Sequence, residues 1–544
     1  MTPAPRRAPS RHVTLRDETP LAGPRIDVNV RLGWLTRMAR LLHGAPQLRR
    51  MAATLGVGTS TLHRLEIGEL RDAGLLRGYE ELFALQPGAL RGAIGATART
   101  FPQDVVADRR PDLGPGDVRR VSALTEQLLA GLEQPRRTPL APAGLWLDWA
   151  SALGRPEAVG LPETMALELL DRLAAELGRS VGPGYTTRYE ALSRMRSGPY
   201  GHLVVEVARH RVDHPGIQAL ADLMSAVGEL EDEAATAFSA HLLLDRRDRV
   251  SQAGVLALFN LAAIGDAERV WEAALPQLLE AYADVEPGTP RHDWLSHALR
   301  SLPGRLAEKA RPFVRKRLAP APLIDFEPGE ALRAEREREC RRAALSVTDA
   351  LDLEEQPVLA RLLYDMGTAV QDDRAVTSYM LLGAHPELSA LTDAALFEQA
   401  RGEQEPALAR RAARQLVGAR HGAPVPGLDV WLTSPDPHLA GFGVRLRALA
   451  GEAVPTEGWA APDRLDALDP ALAGHLVNAW GMAEQIAPLE TVRAGGGPHA
   501  SAADWWLAEG GRLDDAAPSS SPSPWPGSVE AASWNTTATL RTGP

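Results

Sequence analysis

The chain has 544 residues, a net charge of −11 and a single cysteine. That length exceeds what one hydrophobic core serves, so two to four domains are expected, and one cysteine excludes a disulfide or a cysteine-built zinc site within the chain. No apolar run of about 18 residues is present, which predicts no membrane span, and the start of the chain lacks the apolar core of a signal peptide, which makes the cytoplasm the expected compartment.

Charge is distributed unevenly. Residues 1–100 hold 15 arginines against 8 acidic residues, whereas the remainder holds 44 basic and 62 acidic residues. A basic head on an acidic body suits a head that meets phosphate and a body that does not. Ala, Leu and Arg dominate and aromatic residues are few, a composition that favours helix.

Residues 1–25 are rich in Pro and Arg and show no periodicity, so they are read as a disordered arm. Its Arg6, Arg7, Arg11 and Arg16 are solvated charges on that reading, with a trailing contact to DNA phosphates as the alternative. Residues 26–43 carry an apolar stripe of Leu32, Leu35, Ala39 and Leu42 at helical spacing. Arg31, Arg37 and Arg40 lie off that stripe.

The most specific stretch is residues 46–68, PQLRRMAATLGVGTSTLHRLEIG. Leu48, Met51, Ala52 and Leu55 share one face of a short helix over residues 47–55. Gly56 stands where a helix often ends in a left-handed residue, and Val57 plugs the turn. Gly58 or Thr59 starts a second helix, Thr59 through its hydroxyl. In it Leu62 and Leu65 face the core, while Thr59, Ser60, His63 and Arg64 face away. Two short helices joined by a Gly-containing turn form a helix-turn-helix unit, whose second helix suits the major groove of DNA. A further helix is expected over residues 75–85, closed by Pro87 and Gly88, and a last one over residues 89–98.

Across residues 30–90 the chain resembles the Cro/repressor-like (XRE) helix-turn-helix family. The residues carrying the resemblance are Met51-Ala52, Leu55-Gly56-Val57, Ser60-Thr61-Leu62, Arg64-Leu65-Glu66, Gly68, and Tyr79 to Leu85. Leu48 replaces the Gln that usually opens the first motif helix, and Ile67 stands where a polar or basic residue often follows the Glu; these departures leave one customary phosphate contact unsupported. The resemblance implies that Thr59, Ser60, His63 and Arg64 read bases, with Arg64 as the bidentate partner of guanine. Arg31, Arg37, Arg40, Arg49, Arg50 and Arg71 are the candidate phosphate contacts.

Residues 101–144 are broken by prolines and glycines, apart from one helix over about residues 116–132, and are read as a linker. Residues 145–510 then read as helix after helix. Over residues 267–282, Val270, Trp271, Ala274, Leu275, Leu278, Leu279 and Tyr282 fall on one face around Pro276, while the preceding segment, 250–264, is apolar nearly all round. One-sided helices alternating with fully apolar ones are expected where helix pairs stack. Residues 405–418 and 437–451 are similar, without a strict period, to second helices of HEAT-type repeats. The expected fold is therefore all-α: a small helix-turn-helix domain over residues 26–100, then a large irregular α-solenoid, a plain helical bundle being the other reading. Residues 511–544, with Trp525 and Trp534 in a Pro/Ser-rich setting, are read as a disordered tail.

No metalloprotease, dinucleotide, Walker or nucleophile-elbow motif occurs, so no enzyme, cofactor or metal is expected. His210 and His214, four apart, end at Pro215. Cys340 lies in an Arg/Glu-laced helix over residues 333–342, read as solvated i,i+4 pairing. The leading expectation is a transcription regulator that binds double-stranded DNA, as a monomer or homodimer, with a peptide, small molecule or protein on the helical body. A protein-interaction scaffold whose head docks another protein is the alternative.

Overall fold

The structure is a computed structural model that describes residues 14–103, 105–109, 118–133, 136, 138–154, 160–316, 318, 329–369, 372–403 and 406–515. Arg6, Arg7 and Arg11, and Trp525 and Trp534, lie outside the described residues.

Five helices form the head. The first, α1 (Val28–Leu42), starts at Asp27, whose carboxylate accepts the Val30 N–H. Its apolar stripe is fully covered at Leu35, Met38 and Ala39. After it come α2 (Leu48–Thr54), α3 (Thr59–Glu66), α4 (Ala73–Leu82) and α5 (Ala89–Thr100). Gly56 turns the chain between α2 and α3 at φ +65°. α1 crosses the end of α3 in backbone contact: a Cβ on Gly33 would stand 2.3 Å from the Gly68 amide nitrogen. Gly68 itself has φ +82°, and a Cβ there would meet the Asn29 carbonyl oxygen at 2.0 Å. Only glycine fits both positions.

The body continues in helices: α6 (Val118–Leu129), α7 (Ala143–Leu153), α8 (Glu163–Leu177), α9 (Pro183–Arg196), α10 (Gly201–Val212), α11 (Ala221–Val227) and α12 (Glu233–Leu242). There follow α13 (Asp248–Ile264), α14 (Ala267–Asp284), α15 (Pro290–Arg300) and α16 (Gly304–Ala310). From α12 onward in this stretch the helices pack on neighbours one and two places along, and α13 is covered by α11, α12, α14 and α15. That is the stacking of an irregular α-solenoid. On α14, Val270, Trp271, Ala274, Leu275, Leu278 and Tyr282 are buried, Leu279 is half-buried, and Pro276 lies on the exposed side.

The second half comprises α17 (Glu330–Ala350), α18 (Pro357–Thr368), α19 (Asp372–Gly383), α20 (Pro386–Gly402), α21 (Pro406–Ala419), α22 (Asp429–Leu432), α23 (Pro437–Leu449), α24 (Pro470–Met482), α25 (Ile486–Gly495) and α26 (Ala500–Glu509). It returns to the first half. Strand β1 (Ser180–Val181) pairs in parallel with β2 (Leu513–Asp514), and α19 packs on both α5 and α9.

Helix α9 occupies the middle and is buried on all sides despite its polar sequence. Arg188 donates to the Ala141 carbonyl at 2.9 Å and lies 3.2 Å from a Glu176 carboxylate oxygen; Asp515 takes up its remaining nitrogens. Arg196 donates to the carbonyls of Val227, Gly201 and Leu230 and to Asp232. Buried charge is tolerated here because nearly every guanidinium proton meets an acceptor.

The head is locked onto the body by a second buried network. Asp365 of α18 accepts from Arg31 of α1 and Arg374 of α19, each at 2.6 Å, with all three side chains fully buried. Arg31 also donates to Asp17 at 2.7 Å. Burial opposes the Arg31 charge, but Asp365 and then Asp17 outweigh it and raise the pKa. Arg374 further donates to the Gly23 carbonyl, and Arg361 to those of Thr19 and Pro20. The arm expected to be disordered is thus packed from residue 14 onward, with Leu15 and Ile26 buried. At the other end, residues 511–515 belong to the body and not to a loose tail.

Asp365→Asn leaves two buried guanidiniums short of one charge. It should cost about 3–5 kcal/mol, read as a lower urea midpoint together with faster proteolysis within residues 14–27. A second expectation concerns His421. Its Nδ1 meets Asp393 and its Nε2 meets the Tyr379 carbonyl, both at 2.8 Å, so both nitrogens must carry protons. Burial lowers its pKa, but Asp393 overcomes this and the folded value is raised. Its contribution is therefore complete below the unfolded value of about 6.5 and is lost as pH rises through the folded one. His421→Gln should flatten the fall in stability as pH rises above about 6.5, measured by denaturation across that rise.

Candidate interaction face of the helix-turn-helix

The outer face of α2 and α3 is where the sequence placed function. α3 is held from behind by Leu62 and Leu65, both buried, and by Glu66 at its last turn. Glu66 accepts two parallel bonds from Arg40, each 2.7 Å, and a third from the Tyr79 hydroxyl at 3.0 Å. A bidentate pair of this kind fixes orientation as well as charge. Burial, and then Glu66, push the Tyr79 hydroxyl pKa well up, so it stays a donor.

Held this way, α3 turns Thr59, Ser60, His63 and Arg64 outward together, and all four are exposed. Gly58 caps the helix with no side-chain bond; Thr59 is the first helical residue and its hydroxyl does not cap. Arg64 leans back along the chain. It donates to the Glu69 carbonyl at 3.4 Å and lies 3.5 Å from the Glu69 carboxylate. Arg49 and Arg50 are exposed at the opening of α2.

The other four phosphate candidates are corrected by the structure. Arg31 and Arg40 are buried in the pairs already described. Arg37 is 8% exposed, and burial followed by the nearby Arg40 charge lowers its pKa. Arg71 sits 4.0 Å from Asp108, next to a backbone bridge between the same two residues. Lying off the apolar stripe of one's own helix does not mean facing water when another element covers that side.

Further head arginines meet body acids. Arg77 and Arg91 share Asp148 at 2.7 and 2.6 Å. Arg99 joins Glu190 at 2.7 Å and Glu229 at 2.9 Å. The uneven charge along the chain is therefore largely an internal complementarity of head and body. Between α4, α5 and α9 lies a cleft of about 330 Å³ whose cations, Arg71, Arg91, Arg99 and Arg194, all face carboxylates.

Among the described residues no group of three His, Cys, Asp or Glu side chains is arranged to hold a metal, and no helix is long and apolar enough to cross a membrane. His210 pairs with Glu206, while His214 accepts from the Gly216 amide. Cys340 is buried beside Gln399, and burial pushes its thiol up to about 12, which removes redox reactivity at neutral pH. Around it, Arg336 joins Glu339 and Glu403, and Arg341 joins Glu355.

No family model matches the chain, and no curated protein does. Among solved structures, one chain is similar at 10% identity with a TM-score of 0.21, covering 68% of this chain and 97% of its own length. It comes from the work described as "Structural Basis of Tubulin Recruitment and Assembly by Microtubule Polymerases with Tumor Overexpressed Gene (TOG) Domain Arrays".

Glu66→Ala should strand the Arg40 charge and loosen α3 at a cost of about 3–5 kcal/mol. Replacing both partners with apolar residues, Arg40→Met with Glu66→Leu, should recover most of that loss. Urea denaturation of both variants checks the difference.

Proposed function

We propose that the protein is a cytoplasmic interaction scaffold whose helix-turn-helix face docks another protein. What carries this reading is the way the head is built into the body. Arg31, Arg40, Arg77, Arg91 and Arg99 are all paired with carboxylates, several from the body. The face that remains is a rigid polar surface with three exposed arginines, Arg49, Arg50 and Arg64, the last shared with Glu69. A preorganised surface with few charges suits a protein partner, because binding then costs little ordering.

A second reading, double-stranded DNA on the same face, is favoured by the joint exposure of Thr59, Ser60, His63 and Arg64. Its weakness is electrostatic. Three neutralised phosphates give a salt slope of only about −3, and most DNA-binding heads rely on more.

A photo-crosslinking amino acid in place of Ser60, in the full-length chain in its own cells, separates the two. The expected adduct is protein, resistant to nuclease and weakened by about 1–2 kcal/mol in Arg64→Ala. Recovery of duplex DNA on that side chain would overturn the scaffold reading. In that case Arg64→Ala should cost about 1–3 kcal/mol on the preferred site and little on random sequence.

A further inference from the structure

We propose that the seam between the two halves of the body binds a phosphate-bearing small molecule through Arg249, Arg445 and His475. The site is remote from the helix-turn-helix face and does not depend on what that face binds.

Three elements bring these side chains together. Arg249 opens α13, Arg445 lies on α23 and His475 on α24. Arg249 reaches across to α24, where its Nη2 is 3.6 Å from the place a Cβ on Gly474 would occupy. His475 packs against α23, its ring 5.6 Å from that of Phe442 and close enough to Gly441 that a Cβ there would strike it. The neighbouring α10–α11 loop closes against α26, with Gly216 in contact with the Ser501 carbonyl. Arg249 is exposed, with its guanidinium lying against α24 at Gly474.

Buried arginines elsewhere in the molecule meet carboxylates or, as Arg179 does, several backbone carbonyls. Arg31, Arg40, Arg99, Arg188, Arg374 and Arg420 each meet a carboxylate directly. Arg249 meets Gln218, through the side-chain amide oxygen at 2.6 Å and the carbonyl at 3.4 Å. Arg445, half-buried, makes no hydrogen bond or ion pair among the described residues. Asp222, the acid that acts on Arg445, is taken up by Arg420 at 2.8 Å and by the Tyr185 hydroxyl at 2.9 Å. The other acid nearby, Asp466, acts on His499.

Arg445 lies one helical turn on from Gly441, the residue against which His475 packs. Burial, and then the charges of Arg420 and Arg249, push the Arg445 guanidinium down to about 9. Burial, followed by Arg445 and Arg249, holds the His475 imidazole well below its ordinary range. Arg420 is paired with Asp222, whereas Arg249 and Arg445 form no ion pair with a carboxylate among the described residues, an excess of two guanidiniums. That excess matches a doubly charged oxyanion, and two guanidinium forks from different helices match the several non-bridging oxygens of a phosphate. His475, neutral in the empty site, offers one more donor.

The test is calorimetric titration of the full-length protein with inorganic phosphate, with ADP and with malonate, alongside thermal unfolding. The expected result is single-site binding of phosphate or ADP, with malonate at least about tenfold weaker. ADP binding more tightly than phosphate would identify a nucleotide as the source; equal binding would identify the phosphate group alone. Arg445→Gln should weaken binding at least about tenfold and, by removing like-charge repulsion, raise the melting temperature of the ligand-free protein. Arg249→Gln should weaken binding as well. The proposal is overturned if neither phosphate nor ADP binds, if malonate binds equally, if Arg445→Gln binds as the parent does, or if that variant unfolds.

Discussion

The buried carboxylate of Asp365 ties the start of the chain to the second half of the body. It has no access to water and lies between guanidiniums from α1 and α19. Removing either partner would leave a buried charge, which costs far more than the pair contributes, so the contact acts as a constraint on geometry. From it a rigid path leads outward. Arg31 fixes α1, the glycine contact at Gly33 and Gly68 fixes α1 against α3, and Arg40 with Glu66 sets the rotation of α3. The direction in which Ser60 and Arg64 point is thus determined in the middle of the body.

Helix α9 extends the same principle. A polar helix at the centre of a fold ordinarily carries a large desolvation cost. Here Arg188 and Arg196 are surrounded by carbonyls and carboxylates from the loop before α7, from α8, α10 and α11, from the loop before α12 and from the chain end near β2, so the network joins segments that are remote in sequence. The buried arginines recognise backbone oxygens at loop ends, which apolar side chains cannot do. They therefore specify which turn meets which helix. This also explains why residues 14–25 and 511–515 are ordered although their composition reads as loose chain.

What the amino-acid sequence reveals is what is local. The turn at Gly56, the buried pair Leu62 and Leu65, the stripe from Val270 to Tyr282 and the covered helix α13 all follow from spacing within one or two turns, and each is found where the pattern puts it. The outward set Thr59, Ser60, His63 and Arg64 follows from helix phase alone. The pairing of charges is not local. Arg31 meets a partner 334 residues away, and nothing in its neighbourhood distinguishes it from the exposed Arg49. The basic excess of the first 100 residues was for the same reason legible as a number but not as an internal interface. Helix α9 has no apolar periodicity, because its polar groups are satisfied by partners from many segments.

The central claim is that head and body are one mechanical unit joined at Asp365. Hydrogen exchange on the full-length protein tests it most directly. If α1 and α3 are fastened to α18 and α19 as described, their slowest amides open together, with one shared free energy. Exchange of the α1 and α3 amides through a separate, lower-energy opening, while α18 and α19 stay protected, would contradict the account.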